Sequence, residues 1–259
     1  MDPTDKTDPV SDQLLIDIQL DRDAVPSFEA YPFCLDVVRH LHKLRLNPGV
    51  TFFIGENGSG KSTLLEALAV AWGLNAEGGS RHHHFDTRSS HSALHQYLRL
   101  SRGVRRARDA YFLRAESFFN VASEIERLDE DNVPAQRIGP AYGPRALHEQ
   151  SHGESFLSLL MNRFHPGGLF ILDEPEAALS PNRQMAAMAR IHELVGQGSQ
   201  FVIATHSPII MAYPKATIYQ LDEDGITQVD YTETEHYTVT KAFLNGHERM
   251  LSRLLDQDE

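Results

Sequence analysis

Eight consecutive residues, Gly55-Glu56-Asn57-Gly58-Ser59-Gly60-Lys61-Ser62, place three glycines ahead of a lysine and a hydroxyl. This is the pattern G-x-x-x-x-G-K-[ST], whose chemistry is phosphate binding. Glycines let the backbone wrap an anion, so that successive N–H groups and a helix N-terminus converge on it. Lys61 adds a full charge for β- and γ-phosphates, the Ser62 hydroxyl suits Mg2+, and Thr63 continues the binding segment into the helix. A second segment, Gly168-Leu-Phe-Ile-Leu-Asp173-Glu174-Pro175, ends an apolar run in two adjacent acids. Asp173 can hold the cation through its water shell, and Glu174 can orient or deprotonate an attacking water. A third, Phe201-Val-Ile-Ala-Thr-His206, carries an imidazole just beyond another apolar run.

These groups need rigid elements to hold them. Val50 to Ile54 is continuously apolar and predicts a strand buried on both faces of a parallel sheet. Leu64, Leu65, Leu68 and Ala71 recur at helical spacing and predict a helix from about Lys61 to Trp72. The required order of strand, glycine loop and helix is therefore met. Further strands are predicted over Gln13–Leu20, Pro32–Val38, Asp109–Arg114, Leu169–Leu172 and Phe201–Ala204. Helices are predicted over Ser92–Arg102, Phe118–Leu128, Gly153–Phe164, Pro181–Leu194 and Thr238–Leu255. Ala216–Leu221 and Thr227–Tyr231 flank Asp224-Gly225 as a hairpin. The alternation of strand and helix after Gly153 implies an α/β fold with right-handed crossovers and a parallel sheet. Asp129 to Arg145, with three prolines, reads as a loop between two lobes.

Taken together, the chain resembles the nucleotide-binding domain of the ATP-binding cassette superfamily. Five segments match in order: the phosphate loop, Ser151-His-Gly153-Glu-Ser155 in the place of the signature motif, the acid pair, Ala178-Leu-Ser-Pro181 and the strand ending at His206. The likeness covers roughly residues 13–221 and is nearest to small stand-alone soluble ATPases of the AAA/ABC class. It implies an ABC-type P-loop fold with a mainly parallel central sheet, N-terminal antiparallel strands and a small helical lobe at roughly 90–165. One domain, 13–259, would follow a disordered tail at 1–12. It further implies ATP and Mg2+ as ligands, and an ATP-dependent homodimer in which Ser151 and Gly153 of one copy face the γ-phosphate held by the other. Ser151 with Glu154 also reads as a capping box, which makes an anion-binding helix start on its own terms. Lys61, Glu174 and His206 become the catalytic set, with Ser62 and Asp173 as metal ligands. The family's Mg2+-ligating glutamine is replaced here by Glu116, and Tyr31 lies where an aromatic ring stacks on adenine.

Composition sets outer limits. With 24 basic against 36 acidic side chains, the net charge of −12 argues against general coating of nucleic acid. The imbalance is uneven: Arg81 to Arg114 holds eight arginines and no lysine against two aspartates, a balance of +6, so the remainder carries −18. Pairing with the many acids is the expected fate of that stretch, and a nucleic-acid face is the alternative. His82-His83-His84 reads as a solvated loop, with a zinc site as the minority reading. Cys34 is the single cysteine, apolar runs are too short to span a bilayer, and the acidic N-terminus is no secretory signal, so a soluble, cytoplasmic protein is expected. The main functional reading is Mg2+-dependent ATP hydrolysis, with an unknown client protein. Three others stay open: the ATP-binding subunit of a membrane transporter, a nucleic-acid maintenance ATPase similar to SMC or recombination proteins, and a slow nucleotide-dependent switch. Only 88 residues separate Ser62 from Ser151, too few for a coiled-coil arm between them.

Overall fold

A computed structural model describes residues 13–80, 92–115 and 152–255. In chain order these form β1 (Leu15–Leu20), α1 (Asp36–Arg39), β2 (Lys43–Arg45), β3 (Val50–Gly55), α2 (Lys61–Trp72), β4 (Gly79–Ser80), β5 (Leu98–Arg102) and β6 (Asp109–Arg114). Then come α3 (His152–Asn162), β7 (Gly168–Asp173), α4 (Pro181–Gly196), β8 (Gln200–Ala204), α5 (Pro208–Met211), β9 (Thr217–Asp222), β10 (Gly225–Val229) and α6 (Glu235–Leu255). The described part is α/β. Its central sheet runs β10-β9-β3-β8-β7-β6-β4, parallel from β9 to β6 with an antiparallel strand at each edge. A second, antiparallel sheet runs β2-β1-β5.

The period-two alternation of the strands divides the core into two layers. Phe52, Phe170 and Phe201 point to one face, where α3 and α4 pack with Phe156, Leu159 and Leu194. Phe53, Ile171 and Val202 point to the other, where α2 lies between the central sheet and the antiparallel sheet with Leu64, Leu68 and Trp72. Each large apolar side chain buried this way contributes roughly 1.5–3 kcal/mol. The two sheets are also joined by polar contacts. The Gln200 side chain accepts from Leu15 N and donates to Leu15 O, both at 2.8 Å, which extends the hydrogen-bonding edge of β8 onto β1.

Two predicted elements differ. Pro32–Val38 is not a strand but a turn leading into the one-turn helix α1, because Val37 and Val38 are both fully buried and adjacent residues share a buried side only off a strand. Ser92–Arg102 is not a helix. A short 3-10 turn at Ala93–Tyr97 leads into β5, whose residues pair with the free edge of β1, Leu98 against Leu20 and Leu100 against Ile18. Leu94, Tyr97 and Leu98 satisfy a helical spacing locally, and long-range pairing with β1 overrides it. Residues 92–115 of the expected helical lobe hold a 3-10 turn and the strands β5 and β6, and 116–151 lie outside the described residues. The predicted helix at 118–128 and the proline-rich loop at 129–145 lie outside the described residues.

Candidate functional site

Gly55, Arg114, Asp173 and Ala204 all stand at the carboxyl ends of parallel strands, so the register brings four separate sequence segments to one edge of the sheet. The glycine loop crosses that edge. Gly55 has φ 148°, and a Cβ there would sit 2.3 Å from Leu221 O on the neighbouring strand, so no other residue fits. Gly60 precedes α2 with φ 90°, and a Cβ on it would meet Val37 at 2.5 Å, since α1 packs against the loop. Lys61 is buried, and its Nζ donates to Gly55 O (2.8 Å) and Glu56 O (2.7 Å), folding the side chain back over the loop. Burial lowers its pKa, opposed by the nearby Glu174, Asp173 and Glu176.

Ser62 Oγ donates to Asp173 Oδ1 at 3.1 Å, across 111 positions of sequence. A hydroxyl and a carboxylate oxygen at this separation are a hard-oxygen pair suited to Mg2+. Asp173 is buried, and Arg114 Nε lies 3.7 Å from its other oxygen while Arg114 Nη1 pairs with Glu66 at 3.0 Å. Glu174 follows with φ 51°, a left-handed conformation that is strained for a residue with a Cβ, and its N–H donates to Ala204 O at 3.0 Å. That backbone turn brings its Oε1 to 3.6 Å from His206 Nε2. Burial lowers the pKa of His206, helped by Lys61 and opposed by Glu174. His206 Nε2 and Ser59 Oγ are buried polar atoms without a hydrogen-bond partner among the described residues, which fits a site completed by a polar ligand.

A cavity of about 1050 Å³ opens beside these groups. Residues 55–59 of the loop, Leu35, Asp36, His206, Gln220, Asp222 and His236 line it, among others. Tyr31 is 65% exposed and is not among the lining residues, whereas Phe33 is buried edge-on against Tyr97. The structure therefore does not bring Tyr31 to the loop. Thr63 stands third in α2 and is half-buried. Gly153 lies in the first turn of α3, away from the cavity, where a Cβ would meet Ala178 O at 2.5 Å and Arg183 Nη1 at 2.7 Å. Ser151, Glu116 and His82 to His84 lie outside the described residues.

Several residues that sequence reasoning passed over support the site. Glu176 accepts from Thr205 Oγ1 at 2.7 Å and from the backbone N–H of His206, and burial raises its pKa. Its signal was available, since it is the third acid of Asp173-Glu174-Pro-Glu176. Ser207 Oγ donates to Gln184 Oε1 at 2.6 Å and accepts from Ile209 and Ile210 N–H, capping α5 and fixing the chain just after His206. His236, 30 positions downstream, has no signal at all in the sequence.

Of the arginine-rich stretch, Arg81 and Arg88 lie outside the described residues, and four of the other six contact the fold, Arg99 and Arg102 while still exposed. Arg99 pairs with Asp21, Arg102 lies over the Trp72 ring, Arg105 donates to Gly198 O, and Arg114 pairs with Glu66. Arg106 and Arg108 are exposed. No helix among the described residues is long and apolar enough to cross a membrane.

A family model described as an AAA domain matches residues 30–132, which include the phosphate loop and β6. The macrolide export ATP-binding/permease protein MacB 1 of Yersinia pestis bv. Antiqua (strain Antiqua) is 27% identical over 210 residues, covering 74% of this chain and 31% of the relative. These findings support an ABC-type P-loop ATPase. The chain spans less than a third of the length of the curated relatives it matches. Its fold is similar to that of cbiO1 from Clostridium perfringens, part of the ABC transporter complex cbiONQ, with 17% identity, a TM-score of 0.47, and 94% of this chain and 100% of that one covered. An SMC head domain from Thermotoga maritima is similar at 15% identity and a TM-score of 0.43, with 84% and 100% covered.

Proposed function

We propose that the chain binds ATP with Mg2+ and hydrolyses it. The observation that carries this reading is the meeting of Ser62 Oγ with Asp173 Oδ1 at 3.1 Å, beside a buried Lys61 and a Glu174–His206 contact of 3.6 Å. The loop N–H groups and Lys61 hold the phosphates and stabilise charge that develops on the transferred group. Ser62 and Asp173 would hold Mg2+, which neutralises phosphate charge when bound. Glu174 accepts the proton of the attacking water, and His206 donates its Nε2–H to the γ-phosphate oxygens. Two copies close head to tail on ATP, each supplying Ser151 and Gly153 to the other's site. The packing of Gly153 against its own chain, outside the cavity, supports a role away from this copy's phosphate loop.

The test is sedimentation and turnover of Glu174→Gln with and without Mg-ATP. Retained ATP binding, a dimer only with ATP, and little hydrolysis are expected. Full turnover would remove Glu174 as the base, and a monomer with bound ATP would remove the dimer.

The curated relative favours a second reading, an ATP-binding subunit that serves a membrane protein, because its name joins an ATP-binding part to a permease. Co-purification with a membrane protein from solubilised membranes is the outcome expected of that reading alone.

A further inference from the structure

Helix α6 lines the cavity with Glu235, His236, Val239 and Thr240, and His236 is the one whose ring meets His206. His236, in its first turn, lies with Nε2 3.3 Å from His206 Nδ1, ring centroids 5.5 Å apart and planes at 47°. It lines the same cavity as the phosphate loop. Its seat is well defined. Tyr231 OH donates to Pro208 O at 2.8 Å, tying the approach to α6 onto α5, the helix that begins two residues after His206. Buried Thr234 then caps α6, accepting from Tyr237 N–H at 3.3 Å through its hydroxyl. The ring is thus held from a direction that the phosphate loop, the acid pair and the switch strand do not supply.

A contact between two ring nitrogens requires that one donate and the other accept. Burial lowers the pKa of both imidazoles from the ordinary 6.5, Lys61 lowers both further and His206 that of His236, against Glu174 at His206 and Glu235 and Glu176 at His236, so the neutral form with one proton each is favoured near pH 7. Two arrangements remain. If His206 Nδ1 donated, His206 Nε2 would present a lone pair toward the Glu174 carboxylate at 3.6 Å, and His236 Nδ1 would be a buried N–H donor with no partner. If His236 Nε2 donates, His206 carries its proton on Nε2, facing Glu174 and the cavity, and the partnerless His236 Nδ1 is merely an acceptor. Each arrangement leaves one buried N–H without a hydrogen-bond partner, His236 Nδ1–H in the first and His206 Nε2–H in the second, but the second turns that N–H toward the Glu174 carboxylate while the first sets a lone pair against it, so electrostatics favours the second.

We propose that His236 is a positioning residue that donates from Nε2 to His206 Nδ1, locks His206 in its Nε2–H tautomer, and so aims an N–H at the γ-phosphate position. The inference rests on the proposed function for the word phosphate, but the tautomer itself does not. The device is the one by which a hydrogen bond on one imidazole nitrogen decides what the other can do. It makes the start of α6 part of the site, though no residue of α6 is fully buried.

The test pairs two near-isosteric replacements of opposite hydrogen-bonding sense. In the nucleotide-free full chain, imidazole 15N spectra, with His206 assigned by difference against His206→Gln, should show the Nε2–H tautomer. His236→Gln, whose amide can donate, should keep it, while His236→Glu should turn His206 to Nδ1–H and His236→Ala should leave a mixture. In turnover, His236→Ala and His236→Glu should each lose about tenfold in kcat with KM changed by less than about twofold, and His236→Gln should stay within about threefold of the parent. An Nδ1–H tautomer in the parent protein, or an unchanged spectrum in both His236→Ala and His236→Glu, overturns the proposal. Should His236→Ala fail to fold, the parent spectrum and the Gln and Glu pair still decide it. An Nε2–H spectrum in a protein that hydrolyses no ATP supports the positioning role and removes the hydrolysis reading instead.

Discussion

The loop ahead of α2 and the start of α3 each carry a glycine near a helix N-terminus, and both resemble anion sites in the sequence, yet Gly58 and Gly153 pack in opposite ways. Around Gly58 the chain is open: a Cβ there would touch nothing within 4 Å, and the residue lines the cavity. At Gly153 the chain is closed on itself, with Ala178 O and Arg183 filling the place of a side chain. Arg183 also pairs with Glu154 at 3.1 Å, so the acid of the capping pattern faces α4. The first region is a prebuilt half of a site, and the second is braced against its own acid-pair loop. A shared local pattern therefore says that an anion can be bound, while the neighbours of the pattern say where.

The contrast can be broken most forcefully at the prebuilt half. Glu174→Gln should lower turnover by about 10²–10⁴-fold while ATP binding, read by calorimetry, persists. Lys61→Ala removes a buried cation aimed at the phosphates and should cost about 10²–10³-fold in turnover together with a measurable loss of affinity. The two variants separate chemistry from holding. Equal loss of affinity in both would mean that Glu174 is part of the binding surface rather than the base.

At the braced half the larger effect should be on stability. Gly153→Ala drives a methyl against backbone oxygen and should destabilise the chain by about 1–3 kcal/mol in denaturant titration. Gly58→Ala has free space but a φ of 87°, so it should cost about 1–2 kcal/mol from the left-handed backbone and weaken ATP binding as well. If Gly153→Ala is as stable as the parent and only ATP-driven dimerisation suffers, the bracing is incidental. The smallest expected effect is on pH. His206 and His236 have folded-state pKa values below the usual 6.5, so the unfolded chain takes up protons first as pH falls. Stability from these two imidazoles is present above about pH 6.5 and lost below it, and His236→Gln should flatten that decline in thermal melts.

Much of the site was legible because its parts are contiguous. Gly55 to Ser62 specify their own loop through backbone freedom, and apolar runs such as Leu169–Leu172 mark buried strands without reference to any other segment. Failures came where a partner strand or a neighbouring helix had the deciding vote. Leu94, Tyr97 and Leu98 follow a helical spacing, but the free edge of β1 claims the chain from Leu98 onward as a strand. Tyr31 and Phe33 look alike as aromatics near the loop, and packing against Tyr97 buries one and leaves the other at the surface. For the arginines between 81 and 114 a solvated face or internal pairs is the expectation and a nucleic-acid face the alternative, since charge alone does not state its partner. In the structure Asp21, Glu66, the Trp72 ring and Gly198 O take four of them.

By itself, then, the sequence determined the phosphate loop, the acid pair, the alternation of strand and helix and the identity of His206 as a residue beyond a buried strand. These are properties of short stretches, governed by local backbone preference and by periodic burial. Only the tertiary structure decided that Ser62 meets Asp173, that Glu176 holds the backbone of His206, and that His236 stands against its ring. Those contacts join positions 111, 30 and 30 apart, set by sheet register and by the seat of α6, and no local preference carries that information.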